Sequence, residues 1–205
     1  NVSCNGGSDG SVSVVGNGGT GTLDITPPTF TGLTAGDYTY TVTDDNGCTA
    51  TCSVTVAEPS PVVATCSVVQ HVSCNGAADG EASVVGSGGV GPYTITGALT
   101  GLTAGTYSYL VTDASGCTAT CDVIITEPSA LGSICSVLND VSCFGGNDGS
   151  VSVTGTGGTA PYTVTGDPLS GLTAGTYNYT ITDANNCSTT CSLAISEPAS
   201  AVSAS

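Results

Sequence analysis

Gly32-Leu33-Thr34-Ala35-Gly36-Asp37-Tyr38-Thr39-Tyr40-Thr41-Val42-Thr43-Asp44 returns nearly unchanged at Gly101–Asp113 and again at Gly171–Asp183, so the chain is an array. Within each copy Tyr38, Tyr40 and Val42, then Tyr107, Tyr109 and Val111, then Tyr177, Tyr179 and Ile181, alternate with polar or small residues. Alternation of period two places them on one face of a β-strand, and that face is a core. The Gly-Leu-Thr-Ala-Gly before it reads as a tight corner, with Gly36, Gly105 and Gly175 free to take positive φ. The copies start at residues 32, 101 and 171, a spacing of 69 and then 70 residues. That spacing predicts three small domains, 1–60, 61–129 and 130–205. Units this short bury a modest fraction of their surface, which favours covalent staples. The sequence supplies eleven Cys for them.

Working outward, each repeat carries the same series of short segments. In repeat one Ser11–Val15 alternates as a strand and Gly16–Gly21 breaks it. Leu23 and Ile25 carry the next strand, which Pro27-Pro28 stops. After Asp44-Asp45-Asn46-Gly47 comes a stretch in which Cys48, Ala50, Cys52, Val54 and Val56 share a face. Glu58-Pro59, Glu127-Pro128 and Glu197-Pro198 close the three units, since Pro cannot donate to a ladder. Repeats two and three begin with a strand that repeat one lacks. Cys66, Val68, Gln70, Val72 and Cys74 share a face, as do Cys135, Val137, Asn139, Val141 and Cys143. No helical periodicity occurs. The expected class is all-β, tandem immunoglobulin-like Greek-key sandwiches in a rod of roughly 100 Å, at about 3.3 Å per strand residue.

Lys and Arg are absent while Asp and Glu number 16, giving a formal charge of −16. A phosphate backbone would be repelled, so nucleic acid is excluded as a partner, and anionic membrane surfaces likewise. No stretch approaches the roughly 20 apolar residues of a membrane span. Neither an initiator Met nor a signal peptide is present, which reads as mature material. Cysteines at regular positions in small repeats argue for disulfides and an oxidising, extracellular compartment.

Five signals together resemble the SprB-type repeat of large bacterial surface adhesins. They are Val2-Ser3-Cys4-Asn5-Gly6-Gly7-Ser8-Asp9-Gly10-Ser11-Val12, residues 88–94, residues 101–107, residues 112–120 and Glu127-Pro128. The resemblance covers the whole chain, although the middle of each repeat is short and lacks Trp. It implies a tandem extracellular β-sandwich array on secreted surface proteins of gliding and related bacteria, used for adhesion and surface filaments, with no enzymatic activity. Four cysteine positions recur, as Cys66, Cys74, Cys117 and Cys121, then Cys135, Cys143, Cys187 and Cys191, with Cys4, Cys48 and Cys52 in repeat one. Four cysteines allow three pairings. The resemblance implies that the second and third positions pair, giving Cys4 with Cys48, Cys74 with Cys117 and Cys143 with Cys187. The remainder would pair as Cys66 with Cys121 and Cys135 with Cys191, leaving Cys52. A rival joins neighbouring domains through Cys52 with Cys66 and Cys121 with Cys135, and loop length alone does not choose between them.

Asp9, Asp79 and Asp148 fall in one turn and Asp44, Asp113 and Asp183 in another. If the second and third cysteines bridge, these pairs come close and calcium could occupy the gap. Otherwise each Asp binds its own turn backbone and the protein needs no cofactor. Zinc fails for want of Cys-x2-Cys spacing. His71 has Asn1 and Asp140 in register, which makes it a surface residue, and no nucleophile has a partner base, so no enzyme is expected. The expected function is a structural subunit or segment of an extracellular filament or adhesin stalk, whose partner is another copy of itself. A module binding surface glycans is the alternative. Ala199, Ser200, Ala201, Val202, Ser203, Ala204 and Ser205 form an uncharged tail able to add as a strand to the open edge of repeat one, unless the chain is a fragment of a longer array.

Overall fold

The computed structural model describes residues 1–203. Seventeen antiparallel strands and no helix occur among them. Repeat one contains β1 (Gly10–Ser11), β2 (Leu23–Thr26), β3 (Thr31–Leu33), β4 (Gly36–Asp44) and β5 (Thr49–Val56). Repeat two contains β6 (Val63–Gln70), β7 (Gly80–Ser87), β8 (Thr94–Thr96), β9 (Thr100–Leu102), β10 (Gly105–Thr112) and β11 (Thr118–Ile125). Repeat three contains β12 (Gly132–Asn139), β13 (Gly149–Thr156), β14 (Thr163–Gly166), β15 (Ser170–Leu172), β16 (Gly175–Thr182) and β17 (Ser188–Ile195).

Each of the last two repeats forms two three-stranded sheets, ordered β6-β7-β9 and β8-β10-β11, then β12-β13-β15 and β14-β16-β17. Repeat one keeps the second kind, β2-β4-β5, while the first shrinks to β1-β3. The Tyr strand is central wherever it occurs. In β4 Tyr38, Tyr40 and Val42 lie opposite Val54, Cys52 and Ala50 of β5. Tyr177, Tyr179 and Ile181 of β16 lie opposite Leu193, Cys191 and Thr189. Tyr40, Tyr109 and Tyr179 are fully buried. A phenol so placed needs a partner for its hydroxyl. Each donates to a main-chain carbonyl eleven residues upstream, at Thr29, Ala98 and Pro168. Burial pushes the Tyr109 and Tyr179 hydroxyls above the usual phenol range.

Contacts divide the chain into two compact units. One contains Asn1–Ser67, Ala82–Leu99 and Tyr107–Val123, the other Val68–Glu81, Thr100–Thr106 and Ile124–Ser205. In the first, Val2, Leu33 and Val56 form a buried cluster against Val12, Ala35 and Tyr38. In the second, both sheets of repeat three contribute to one core of Val141, Val151, Val153, Leu172, Tyr179, Ile181 and Ile195.

Three expectations about local structure change. The strand expected over Cys66–Cys74 stops at Gln70, and its counterpart stops at Asn139. Val72 and Val141 then bury themselves and donate to Thr126 O and Ser196 O, which leaves Cys74 and Cys143 in turns outside the ladder. The strand expected at Ser11–Val15 is reduced to Gly10–Ser11. The positive φ of the corner belongs to Gly32, Gly101 and Gly171, the first glycine of each Gly-Leu-Thr-Ala-Gly, at 71°, 69° and 72°. Gly36 has the expected positive φ, at 154°, whereas Gly105 and Gly175, at the same place in the other two Tyr strands, do not.

Candidate functional site: the junction between repeats

The cysteine loop that opens each repeat is held at both ends by carboxylates. Ser3, Ser73 and Ser142 donate their amides to Asp9, Asp79 and Asp148 at 2.9, 3.0 and 3.0 Å. Hydrogen bonds from these serines, side chain first and then backbone, hold the three carboxyls below the usual aspartate range. The Glu of each Glu-Pro accepts from the loop glycine: Gly6 to Glu58 at 2.6 Å, Gly76 to Glu127 at 2.7 Å and Gly145 to Glu197 at 2.6 Å. Glu-Pro therefore does more than end a strand, since it ties the closing end of a repeat to its opening loop. Sequence reading missed this role; the signal was a Glu invariably before the Pro.

The second turn is built around Asp44, Asp113 and Asp183, the buried carboxylates of the chain's described residues. One oxygen of Asp113 accepts from Ser115 N and Cys117 N, both at 2.9 Å, and the other from Val90 N at 2.8 Å. Asp183 repeats this with Asn185, Cys187 and Thr159, and Asp44 with Asn46, Cys48 and Thr20. Three backbone donors favour the anion. The Cys48 and Thr20 amides hold Asp44 below the usual range, and the Val90 amide foremost does so for Asp113. At Asp183 burial opposes the shift most strongly, yet the Thr159, Cys187 and Asn185 amides together outweigh it. No buried side-chain nitrogen or oxygen among the described residues lacks a partner.

These turns bring together cysteines that the sequence reading kept apart. Cys4 bonds Cys117, and Cys74 bonds Cys187, with Cα–Cα distances of 5.6 and 5.7 Å and the same separation of 113 residues. The second and third positions pair, but between successive repeats. The expected bridges Cys4–Cys48, Cys74–Cys117 and Cys143–Cys187 are not formed. Within a repeat, the opening loop is committed to its own Glu-Pro. Its cysteine meets the Asp-centred turn of the next repeat: Asn185 donates to Ser73 O at 2.9 Å beside the second bridge. Cys66–Cys121 and Cys135–Cys191 join the first and last strands of a repeat, as in the first pairing considered and unlike its rival. Cys48, Cys52 and Cys143 are free and exposed, so three of the eleven expected disulfide cysteines have no partner.

A linker completes each junction. Gly89 donates its amide to Ser60 O and Gly158 to Ser129 O, both at 2.9 Å. The pairs Gly88-Gly89 and Gly157-Gly158 all have φ between 55° and 69°. A Cβ at Gly88 would collide with Pro61 O and one at Gly157 with Ala130 O, so glycine is required twice over there. Against the second glycine rest Val62 in one junction and Leu131 in the other.

Other predicted residues have plainer settings. His71 accepts the Thr126 amide through Nδ1 at 3.1 Å, as Asn1 accepts from Ala57 and Asp140 from Ser196. One acceptor position explains three residue types. Calcium between Asp9 and Asp44, Asp79 and Asp113, or Asp148 and Asp183 was to follow from bridges inside a repeat, and those bridges are absent. Among the described residues no group of three or more His, Cys, Asp or Glu side chains could hold a metal ion. Of the tail, Ala199–Ser203 carries no strand, and Ala204 and Ser205 lie outside the described residues.

The fold and the bridges define a disulfide-bonded, all-β repeat protein. The family model for the SprB repeat matches residues 67–96 and 136–165, which run from the end of the opening strand into β8 and β14. These two segments are thus similar to the SprB repeat. No curated protein matches the chain.

Proposed function

We propose that this chain is a structural segment of an extracellular bacterial filament or adhesin stalk, in which repeats are joined head to tail. The observation that carries the reading is the repeated junction. The same cysteine pairing, the same linker-to-glycine hydrogen bond and the same aspartate turn occur in both units. A covalent bridge across each junction suits a part that transmits tension. Residues 2–60 are read as a third SprB-type repeat on the sequence they share with the other two. The two-sheet repeats are read as immunoglobulin-like Greek-key sandwiches, from their alternation between sheets. The chain is not an enzyme and needs no cofactor in this reading, and its partner is itself rather than nucleic acid or membrane lipid.

Assembly proceeds, in this proposal, by strand addition. In repeat one the inner face of β5 is open, with Cys52 exposed and Val54 36% exposed. Residues 199–205 are uncharged and align with the linkers that lead into β6 and β12, so they suit the edge of β1, whose counterparts β7 and β13 pair with those strands. Such head-to-tail addition is heterologous and does not close. Electron micrographs of the native material test the reading: filaments with an axial repeat near a multiple of one repeat length are expected. Dispersed single particles at high concentration would sink it.

A further inference from the structure

The face of repeat one that corresponds to an occupied junction in repeats two and three is uncovered. Gly18-Gly19, with φ of 80° and 75°, matches Gly88-Gly89 and Gly157-Gly158, and Thr20 donates to Asp44 as Val90 does to Asp113. Gly18 and Gly19 are exposed, whereas the other two pairs are half-buried under their linkers. Beside them opens a depression of about 140 Å³ lined by Gly18, Gly19, Leu23, Val42, Asp44 and Cys48. Leu23 stands where Tyr93 and Tyr162 stand in the other repeats, lying against Gly16 as they lie against Gly86 and Gly155. Cys48 is the free counterpart of the bonded Cys117 and Cys187.

The complementary half lies in repeat three. Cys143, free and exposed, is the counterpart of the bonded Cys4 and Cys74. It borders a cavity of about 290 Å³ with Phe144, Pro198, Ser200, Ala201 and Val202. Gly145 is tied to Glu197 as Gly6 and Gly76 are to Glu58 and Glu127, so the loop already has its junction shape. Val62 and Leu131 lie three residues past their Glu-Pro prolines, and the residue three past Pro198 is Ala201.

We infer that the Cys48 face of one copy receives the Cys143 loop and the Pro198–Ala201 linker of a second copy, with Ala201 over Gly19, and that a Cys143–Cys48 disulfide seals the contact. This rests on the head-to-tail reading above and specifies its joint. The bond forms by exchange with a small-molecule disulfide. The Cys143 thiolate attacks it and releases one thiol; the Cys48 thiolate then attacks the mixed disulfide and releases the second. Two protein thiols are oxidised and one disulfide is reduced to two thiols.

The test uses the full chain carrying Cys52→Ser, incubated with oxidised glutathione and resolved without reductant. The chain has no Lys or Arg, so cross-links are mapped after cleavage at Asp and Glu. A ladder of multiples is expected, with Cys48 joined to Cys143. Adding Cys48→Ser or Cys143→Ser should abolish the ladder in either chain alone, and mixing the two should yield a single capped dimer. Ala201→Asp leaves both thiols in place but sets a charge against Asp44 and the apolar floor, and should slow laddering about tenfold. No ladder, a ladder in either single variant, links joining like cysteines, or an unchanged rate for Ala201→Asp would each overturn the inference. Filaments as abundant in the Cys48→Ser, Cys143→Ser chain as in its parent would overturn the covalent joint while leaving the polymer reading standing.

Discussion

Repeats one and three use almost the same words to different effect. Ser11-Val12-Ser13-Val14-Val15-Gly16 and Ser150-Val151-Ser152-Val153-Thr154-Gly155 share their alternation, yet the second lies in an eight-residue strand and the first yields only Gly10–Ser11. The difference is the neighbour. Ser150–Thr156 pairs along β12, from Asn139 opposite Ser150 to Gly132 opposite Thr156, while repeat one has no counterpart of β12 in the sequence. Val151 and Val153 are buried, whereas Val12 and Val14 are half-buried. The same absence opens β5: Cys52 is exposed where Cys191 is half-buried and bonded. Alternation states which face a strand would bury; backbone donors and acceptors form a strand only when something pairs with them.

The largest expected effect sharpens that contrast through the sulfurs. Cys135→Ser with Cys191→Ser removes a bridge spanning 56 residues and should destabilise repeat three by about 2 to 5 kcal/mol, whereas Cys52→Ser should change stability by less than about 0.5 kcal/mol. Differential scanning calorimetry reads both. Equal losses would mean that the strand Gly132–Asn139, rather than its bridge, holds the repeat together.

A smaller effect comes from supplying the missing neighbour. A synthetic peptide with the sequence of Val63–Gln70 should lower hydrogen exchange at Ser13 and Val15 by about tenfold or more while leaving Ser152 and Thr154 unchanged, because only the former lack a paired edge, the Val12 amide being already bonded to Phe30 O. With oxidised glutathione as the oxidant, which is reduced to two thiols, its Cys66 equivalent should become linked to Cys52. Unaltered exchange at Ser13 and Val15 would break the comparison, placing the cause in the residues themselves.

The smallest contrast lies at the aspartate turns, which are built alike in all repeats. The folded-state carboxyls of Asp44, Asp113 and Asp183 are shifted down, so the stability they confer is complete above the unfolded aspartate value of about 3.9 and is lost as pH falls through the lower folded values. Melting temperature should fall below about pH 4, and Asp183→Asn should flatten that dependence for repeat three, as Asp44→Asn does for repeat one. A dependence that survives these two changes combined with Asp113→Asn would move the acid-labile groups elsewhere, to Asp9, Asp79 and Asp148. Millimolar calcium should leave the same melting curves in place, since backbone amides already occupy these oxygens; a rise in melting temperature would restore the metal reading.

Much of the fold was legible because it is local. The Tyr38, Tyr40, Val42 face, its two copies, the Gly-rich breaks and the Asp turns are set by side-chain alternation and by residues that bind their own backbone, and all of these act over a few positions. The sequence by itself also determined that cysteine positions recur and that Asn1, His71 and Asp140 are equivalent. Tertiary structure alone decided which sulfurs meet. Cys4 lies 44 residues from Cys48 and 113 from Cys117, and only the placement of the Glu58-clamped loop against the turn of Asp113 brings its sulfur within bonding reach of the farther one. A disulfide needs Cα atoms within about 7 Å, a condition on positions in space that spacing along the chain does not encode. For the same reason Ser11–Val15 carries the pattern of a strand without becoming one: the pattern belongs to the residues, and the pairing belongs to whatever lies beside them.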